Sequence, residues 1–247
     1  MDRSYNETMR NRPFNLAIET SGRSGSVTLG RGDRIIASAE LPRKRRHNVD
    51  LIPAMDRLCR AHRAAPAGMG ELYVSLGPGS FTGLRVAVAT VKVLALAGKI
   101  PIIGVPTLEV VARNALGSPY DAAHAAVCLN VKRDRAYSSI FERRGQAMAA
   151  IAEPALRTMA QLLDLAPRPV LILGDPPPPA SEDLRDGVRL LPPAFAVARS
   201  EAVWHLGRAM ARQGRFADPQ QLVPLYVRRP EATELWLQRH GPPPSSA

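Results

Sequence analysis

The sequence predicts an α/β protein made of two related halves, and three observations carry that expectation. Short apolar strand-like runs alternate with helical patterns along the chain. A strand–strand–strand–helix unit recurs at an offset of 111 residues, from Glu19 to Asn130. The length of 247 residues allows two domains of about 100–120 residues.

The elements follow in order. Residues 1–12 are polar and without periodicity, so a flexible extension is expected there. Phe14 to Thr20 reads as a buried strand. Ser26 to Gly30 and Arg34 to Glu40 read as strands joined through Gly30-Arg31-Gly32-Asp33. Leu51, Ile52, Met55, Leu58, Cys59 and His62 recur at helical spacing, predicting an amphipathic helix over about 48–63. Pro53 falls in its first turns, where a missing N–H is tolerated. Leu51, Met55, Leu58 and His62 form one stripe, expected to be free for a partner helix, while Ile52 and Cys59 are expected to face the chain's own core. Glu71 to Leu76 is a strand, Gly77-Pro78-Gly79 a turn, and Phe81 to Ala97 a helix apolar on most sides. A strand at Ile100–Val105 and a helix over 107–115 close a first domain, 13–117.

The second, smaller domain, 118–197, is expected to hold strands at Ala125–Asn130, Arg135–Phe141 and Gln146–Ala152, then a short helix over 158–165. Strands at Val170–Leu173 and Val188–Leu191 follow, on either side of a stiff loop at Pro176–Pro179. A strongly patterned helix from about Ala198 to Gln213 opens a C-terminal helical segment, about 198–232, expected to pack back on the first domain. Residues 241–247 should fray.

Composition narrows the function classes. With 45% apolar and 22% charged residues the chain is globular rather than disordered. The most apolar stretch, 84–98, carries Arg85 and Lys92, which argues against a membrane span. The N-terminus lacks an apolar secretory region, and Cys59 and Cys128 sit alone in apolar patterns. These features predict a cytoplasmic protein with buried thiols. The net charge of +11 comes from four lysines and twenty-nine arginines. They are scattered except for the run Arg43-Lys44-Arg45-Arg46, a solvated loop or a contact for RNA or an acidic partner.

Chemistry-bearing motifs are few. Leu76-Gly77-Pro78-Gly79-Ser80-Phe81-Thr82-Gly83-Leu84-Arg85 places a strand, a glycine turn and a helix start in order, with Ser80 or Thr82 available as N-cap. Free amides at such a start attract anions, making Gly77, Gly79 and Ser80 candidate anion or nucleotide contacts. The spacing matches neither a dinucleotide fingerprint nor a Walker loop. A tight turn whose glycines let a helix pack closely is the favoured reading. The five histidines show no H-x-x-x-H and the cysteines no C-x-x-C, so no metal site is expected. Glu19 ends a buried strand where sugar-kinase and actin-like ATPases place an aspartate, yet the companion phosphate-loop residues are missing.

Taken together, these residues resemble the bacterial TsaB (YeaZ) family over about 16–232. The block Gly77 to Arg85 (G-P-G-S-F-T-G-L-R) is that family's hallmark. Arg46-His47 with Leu51, Ile52 and Pro53, Ile100-Pro101 with Gly104-Val105 and Thr107-Leu108, and Pro224-Leu225-Tyr226-Val227-Arg228 with Glu231-Ala232 resemble its other motifs. Two positions depart from it. Glu19 stands where aspartate is usual, and Asn130-Val131-Lys132 with Tyr137 replaces an element that carries an acid.

The resemblance implies an actin-like ATPase fold of two related βββαβα domains with mixed sheets. It also implies a non-catalytic subunit in threonylcarbamoylation of adenosine at tRNA position 37. Such a subunit pairs with a catalytic TsaD-type subunit, is joined by a TsaE-type ATPase, and meets tRNA through the complex. It has no cofactor of its own, since ATP and metal belong to the partners, and no membrane role; self-pairing is the alternative when it is alone. Pairing through the first two helices maps onto 48–63 and 81–97, hence onto Leu51, Met55, Leu58, His62, Phe81, Thr82, Gly83 and Arg85, leaving Glu19 and Asn130 as a vestigial cleft. The alternatives are an ATPase or kinase active in its own right, against which the missing acids count, and a glycoprotease, which would need a zinc site.

Overall fold

The computed structural model describes residues 13–42, 47–132, 134–176 and 187–227. Two mixed sheets lie side by side. In the first, β1 (Phe14–Glu19) is central. It pairs antiparallel with β2 (Ser26–Arg31), which pairs with β3 (Arg34–Glu40). On its other side β1 runs parallel to β4 (Met69–Gly77), and β4 runs parallel to β5 (Ile102–Pro106).

The second sheet repeats this plan. Its central strand β6 (His124–Lys132) is antiparallel to β7 (Arg135–Arg144), which carries β8 (Ala147–Ala150) and β9 (Ala155–Thr158). On the other side β6 is parallel to β10 (Val170–Gly174), and β10 to β11 (Val188–Leu190). The duplicated actin-like α/β architecture is therefore the observed one.

Among the described residues five helices accompany the sheets: α1 (His47–Ala61), α2 (Phe81–Gly98), α3 (Thr107–Ala112), α4 (Met159–Leu165) and α5 (Ser200–Arg212). Their ends follow from local chemistry. The Ser80 side chain accepts from the Gly83 amide at the start of α2, and left-handed Lys99 closes its end by donating to Ala95 O. A reciprocal capping box between Thr158 and Gln161 starts α4.

β1 is buried along nearly its whole length because both faces are covered. Leu16, Ile18, Val27, Leu72 and Val74 meet α1 and α2 on one face. Ala17, Tyr73, Ile103 and Val105 meet Val203 and Trp204 of α5 on the other. α3 follows the last strand of the first sheet, yet Leu108, Val111 and Ala112 pack with Ala125, Val127 and Phe141 of the second. α3 thus bridges the two sheets, and its Val110 joins the cluster that α5 forms on the first.

Several expectations need correction. The C-terminal helical segment does not reach 232: α5 ends at Arg212. Gly214 at φ +72° then turns the chain, in the left-handed conformation that stops helices. Residues 215–227 run as a strap in which Ala217 bridges Ile102 and the Leu225 amide donates to Leu76 O at 2.7 Å. Strand β9 was not anticipated. Cys128 is buried, and burial, then the nearby Asp175 charge, push its thiol up to about 12. Cys59 is only half-buried.

Helix α2, 18 residues with mean hydropathy 1.5, is long and apolar enough to cross a membrane. Here its Leu84, Ala87, Val88, Val91 and Ala95 are buried within the first domain. The extension 1–12, the basic run 43–46, most of the proline loop (177–179) and the tail from Arg228 onward lie outside the described residues.

Candidate functional site

The first candidate is the cleft between the sheets, about 780 Å³. Its walls include Ser21, Arg23, Gly79, Ser80, Thr107 and Asp175. The parallel strand ends and the loop after β1 place it there, the usual position for ligands in α/β folds. Ser80, one of the candidate anion contacts, is already engaged. The Ser80 amide donates to Ser21 O at 2.6 Å, and Ser80 Oγ caps α2 at 3.2 Å. A Cβ on Gly79 would stand 2.4 Å from Ser21 O. Gly77, at φ +107°, brings the turn against Leu84 and Leu225 O, within 2.9 Å of where its own Cβ would be. These glycines permit close backbone approach; Gly77, Gly79 and Ser80 dock the turn on the end of β1.

Glu19 is fully buried and is not part of the cleft wall. Its Oε1 accepts from the Ser21 amide, and Oε2 has no hydrogen-bond partner. Burial raises its pKa, which hydrogen bonding from Ser21, Ser75 and the Thr20 backbone only partly offsets. A carboxyl held toward its neutral form inside a strand is a poor ligand for a hard cation. Asn130 lies in β6, but its side chain is outside the described residues. Among the described residues no group of three His, Cys, Asp or Glu is placed to hold a metal.

The second candidate is the outer face of the α1–α2 pair. Leu51 (0% exposed), Met55 (7%) and Leu58 (8%) belong to the chain's own core. The stripe assigned to a partner is therefore the stripe that covers the first sheet. His62 lies past the helix end and is exposed. Gly83 is also internal: it is buried, and its carbonyl accepts from Thr20 Oγ1 at 2.9 Å. Thr82 is exposed.

The outward residues are others. Ile52 is 62% exposed, Val93 66%, Leu96 58% and Leu94 36%. Ile52, Met55, Cys59, Leu94, Ala97 and Ile100 line an apolar groove of about 820 Å³ between the helices. Helical spacing shows that α1 has two adjacent apolar stripes. It does not show which of them the sheet takes.

At the other end of α2 the hallmark block meets the C-terminal motif. The Arg85 guanidinium stacks over Phe81 at 3.7 Å and donates to Tyr226 OH at 3.0 Å. Lys92 donates to the Gln220 and Leu222 carbonyls, both at 3.2 Å. Phe81 and Arg85 thus hold the strap in place.

Fold and site together define a two-domain actin-like protein whose cleft turn is packed against its own first strand and whose first helix pair presents an apolar face. A family profile described as "TsaD: tRNA N6-adenosine threonylcarbamoyltransferase" matches residues 34–199, more than half of the chain, and the chain belongs to this family. Among curated proteins it is 27% identical over 226 residues to the tRNA threonylcarbamoyladenosine biosynthesis protein TsaB of Bacillus subtilis, covering 90% of this chain and 97% of that protein. It is likewise 27% identical to TsaB of Escherichia coli, over 57% of this chain and 63% of that protein. Its resemblance is thus to the TsaB (YeaZ) branch. Among solved structures, YeaZ from Pseudomonas aeruginosa superposes with a TM-score of 0.70 at 21% identity, covering 87% of this chain and 99% of that one.

Proposed function

We propose that the chain is a non-catalytic, cytoplasmic subunit of the machinery that makes N6-threonylcarbamoyladenosine at position 37 of tRNA. It supports a TsaD-type catalytic subunit through the α1–α2 face, with a TsaE-type ATPase joining the pair and ATP and metal held by those partners. The pathway follows from the near-full-length match to a protein named for that biosynthesis. The supporting role rests on one observation above the others, the exposed apolar groove around Ile52, Cys59 and Leu94. A patch of this kind on a folded domain suits a partner surface. The cleft chemistry is consistent with it, since Glu19 is buried and the amide at the turn is engaged. Self-pairing of two copies through the same groove is the competing occupant.

The experiment is co-purification with the catalytic subunit. Ile52→Glu and Leu94→Arg should abolish it without lowering the melting temperature. Retained binding by both variants contradicts the assignment, and a wild-type chain that self-pairs but never binds the catalytic subunit contradicts the role.

A further inference from the structure

A second groove, on the domain junction away from the α1–α2 face, carries basic side chains in its wall. It has a volume of about 400 Å³ and is lined by Arg113, Asn114, Phe195, Arg199, Glu201 and His205, among others. Its basic side chains come from separate elements. Arg113 lies in the 3-10 turn after α3, Arg199 precedes α5, and His205 is on α5. Arg143, from the β7–β8 hairpin, is outside the groove wall but reaches the turn at its rim, donating to Leu116 O at 3.2 Å beside the lining residue Gly117.

Among the described residues, Arg113 and Arg143 are held by main-chain carbonyls alone: Arg113 donates to Gln146 O at 3.3 Å, and neither guanidinium meets a carboxylate of those residues. Each is fixed through one N–H and keeps the rest of its donor fork for a ligand. Arg199 is paired with Glu40 at 3.3 Å, and Glu201 is the carboxylate in the wall. Burial, then the positive charge of Arg113, hold His205 below its ordinary value, and the Glu201 charge offsets this only in part.

We infer that this groove and the turn at its rim bind phosphate groups of the tRNA backbone, with Arg113 in the groove wall and Arg143 beside it on that turn as the principal contacts. Planar guanidinium forks match phosphate oxygens, and pre-fixed ones lose little freedom on binding. The groove is open at its rim, where Gly117, Ala194, Arg199 and His205 are exposed. That shape suits a continuous backbone running along it better than the enclosure of a free nucleotide. Half-buried Phe195 supplies an apolar flank for a ribose or base. RNA as the source of the phosphate rests on the tRNA-modification reading above; the direct contact by this chain goes beyond it.

The test is fluorescence anisotropy of labelled tRNA with the chain bound to its catalytic partner, over a salt series. R113Q/R143Q should weaken binding and lower the slope of log affinity against log salt by about 2, one for each lost phosphate contact. R113K/R143K should recover most of the slope, and R34Q/R168Q, at exposed arginines elsewhere, should leave it unchanged. An unchanged slope in R113Q/R143Q that melts like wild type overturns the inference. If that pair melts early, R143Q/R199Q, at exposed positions, decides in its place by the same slope. Titration of the isolated chain with AMP and with inorganic phosphate separates the sources. Submillimolar AMP binding that R113Q/R143Q abolishes, with the tRNA slope intact, assigns the groove to free nucleotide and overturns the RNA contact. Failure of the wild-type complex to modify tRNA contradicts the functional reading instead.

Discussion

The carboxyl of Glu19 has one oxygen on the Ser21 amide and the other without a partner, inside a fully buried strand end. Its pKa is raised by burial. The unfolded chain therefore loses this proton near the ordinary value of 4.5, while the folded chain keeps it to higher pH. Stability contributed by the protonated form is complete below 4.5 and is lost as pH rises toward the folded value. Glu19→Gln keeps the acceptor for Ser21 and cannot ionise. Its melting temperature should exceed that of wild type by a margin that grows from pH 5 to pH 8, and a margin independent of pH would contradict this account.

Gly79 makes a second prediction at this scale. An alanine there would drive its Cβ to 2.4 Å from Ser21 O. Gly79→Ala should cost about 1–3 kcal/mol in urea unfolding, the range for overpacked sites. The sequence placed Glu19 at a strand tip and Gly79 in a packing turn. It did not reveal that the carboxyl is buried away from the cleft wall, because side-chain direction at a strand end depends on the loop that follows.

Helix α1 shows where periodicity is informative and where it stops. Its span was legible from spacing to within about two residues, the usual boundary error. The face it presents was not. Leu51, Met55 and Leu58 cover the sheet while Ile52 faces outward. Leu51→Glu should therefore unfold the domain, since it places an unpaired charge in the core at about 3–5 kcal/mol. Ile52→Glu should melt like wild type, and thermal denaturation of the two side by side checks the assignment. β9 escaped notice for another reason. Its four residues, Ala155–Thr158, pair with the start of β7 through main-chain bonds and carry no apolar alternation.

α5 is tied down by charge as well as by packing. Arg208 bridges fully buried Glu71 at 2.9 Å and Asp33 at 2.8 Å, and Tyr73 OH also donates to Glu71. Arg208→Met removes this cation from buried Glu71 and should cost about 3–5 kcal/mol in chemical denaturation. A loss below about 1 kcal/mol, the scale of an exposed pair, would show that this network does not anchor the helix.

For the whole molecule, the duplicated sheet plan and the hallmark block were both visible in the sequence; the helix face and the meeting of Arg113 and Arg143 at one turn emerged only when distant elements were brought together. The central claim is that this chain works by pairing rather than by catalysis of its own. The most direct measurement is formation of N6-threonylcarbamoyladenosine in tRNA, quantified by mass spectrometry of nucleosides in a reconstituted system. The catalytic and ATPase subunits are supplied with no added chain, with the wild-type chain, or with Ile52→Glu. The account predicts modification with the wild-type chain and background levels both without it and with Ile52→Glu, although that variant melts like wild type. Wild-type levels of modification by Ile52→Glu, or by the system lacking this chain altogether, would contradict it.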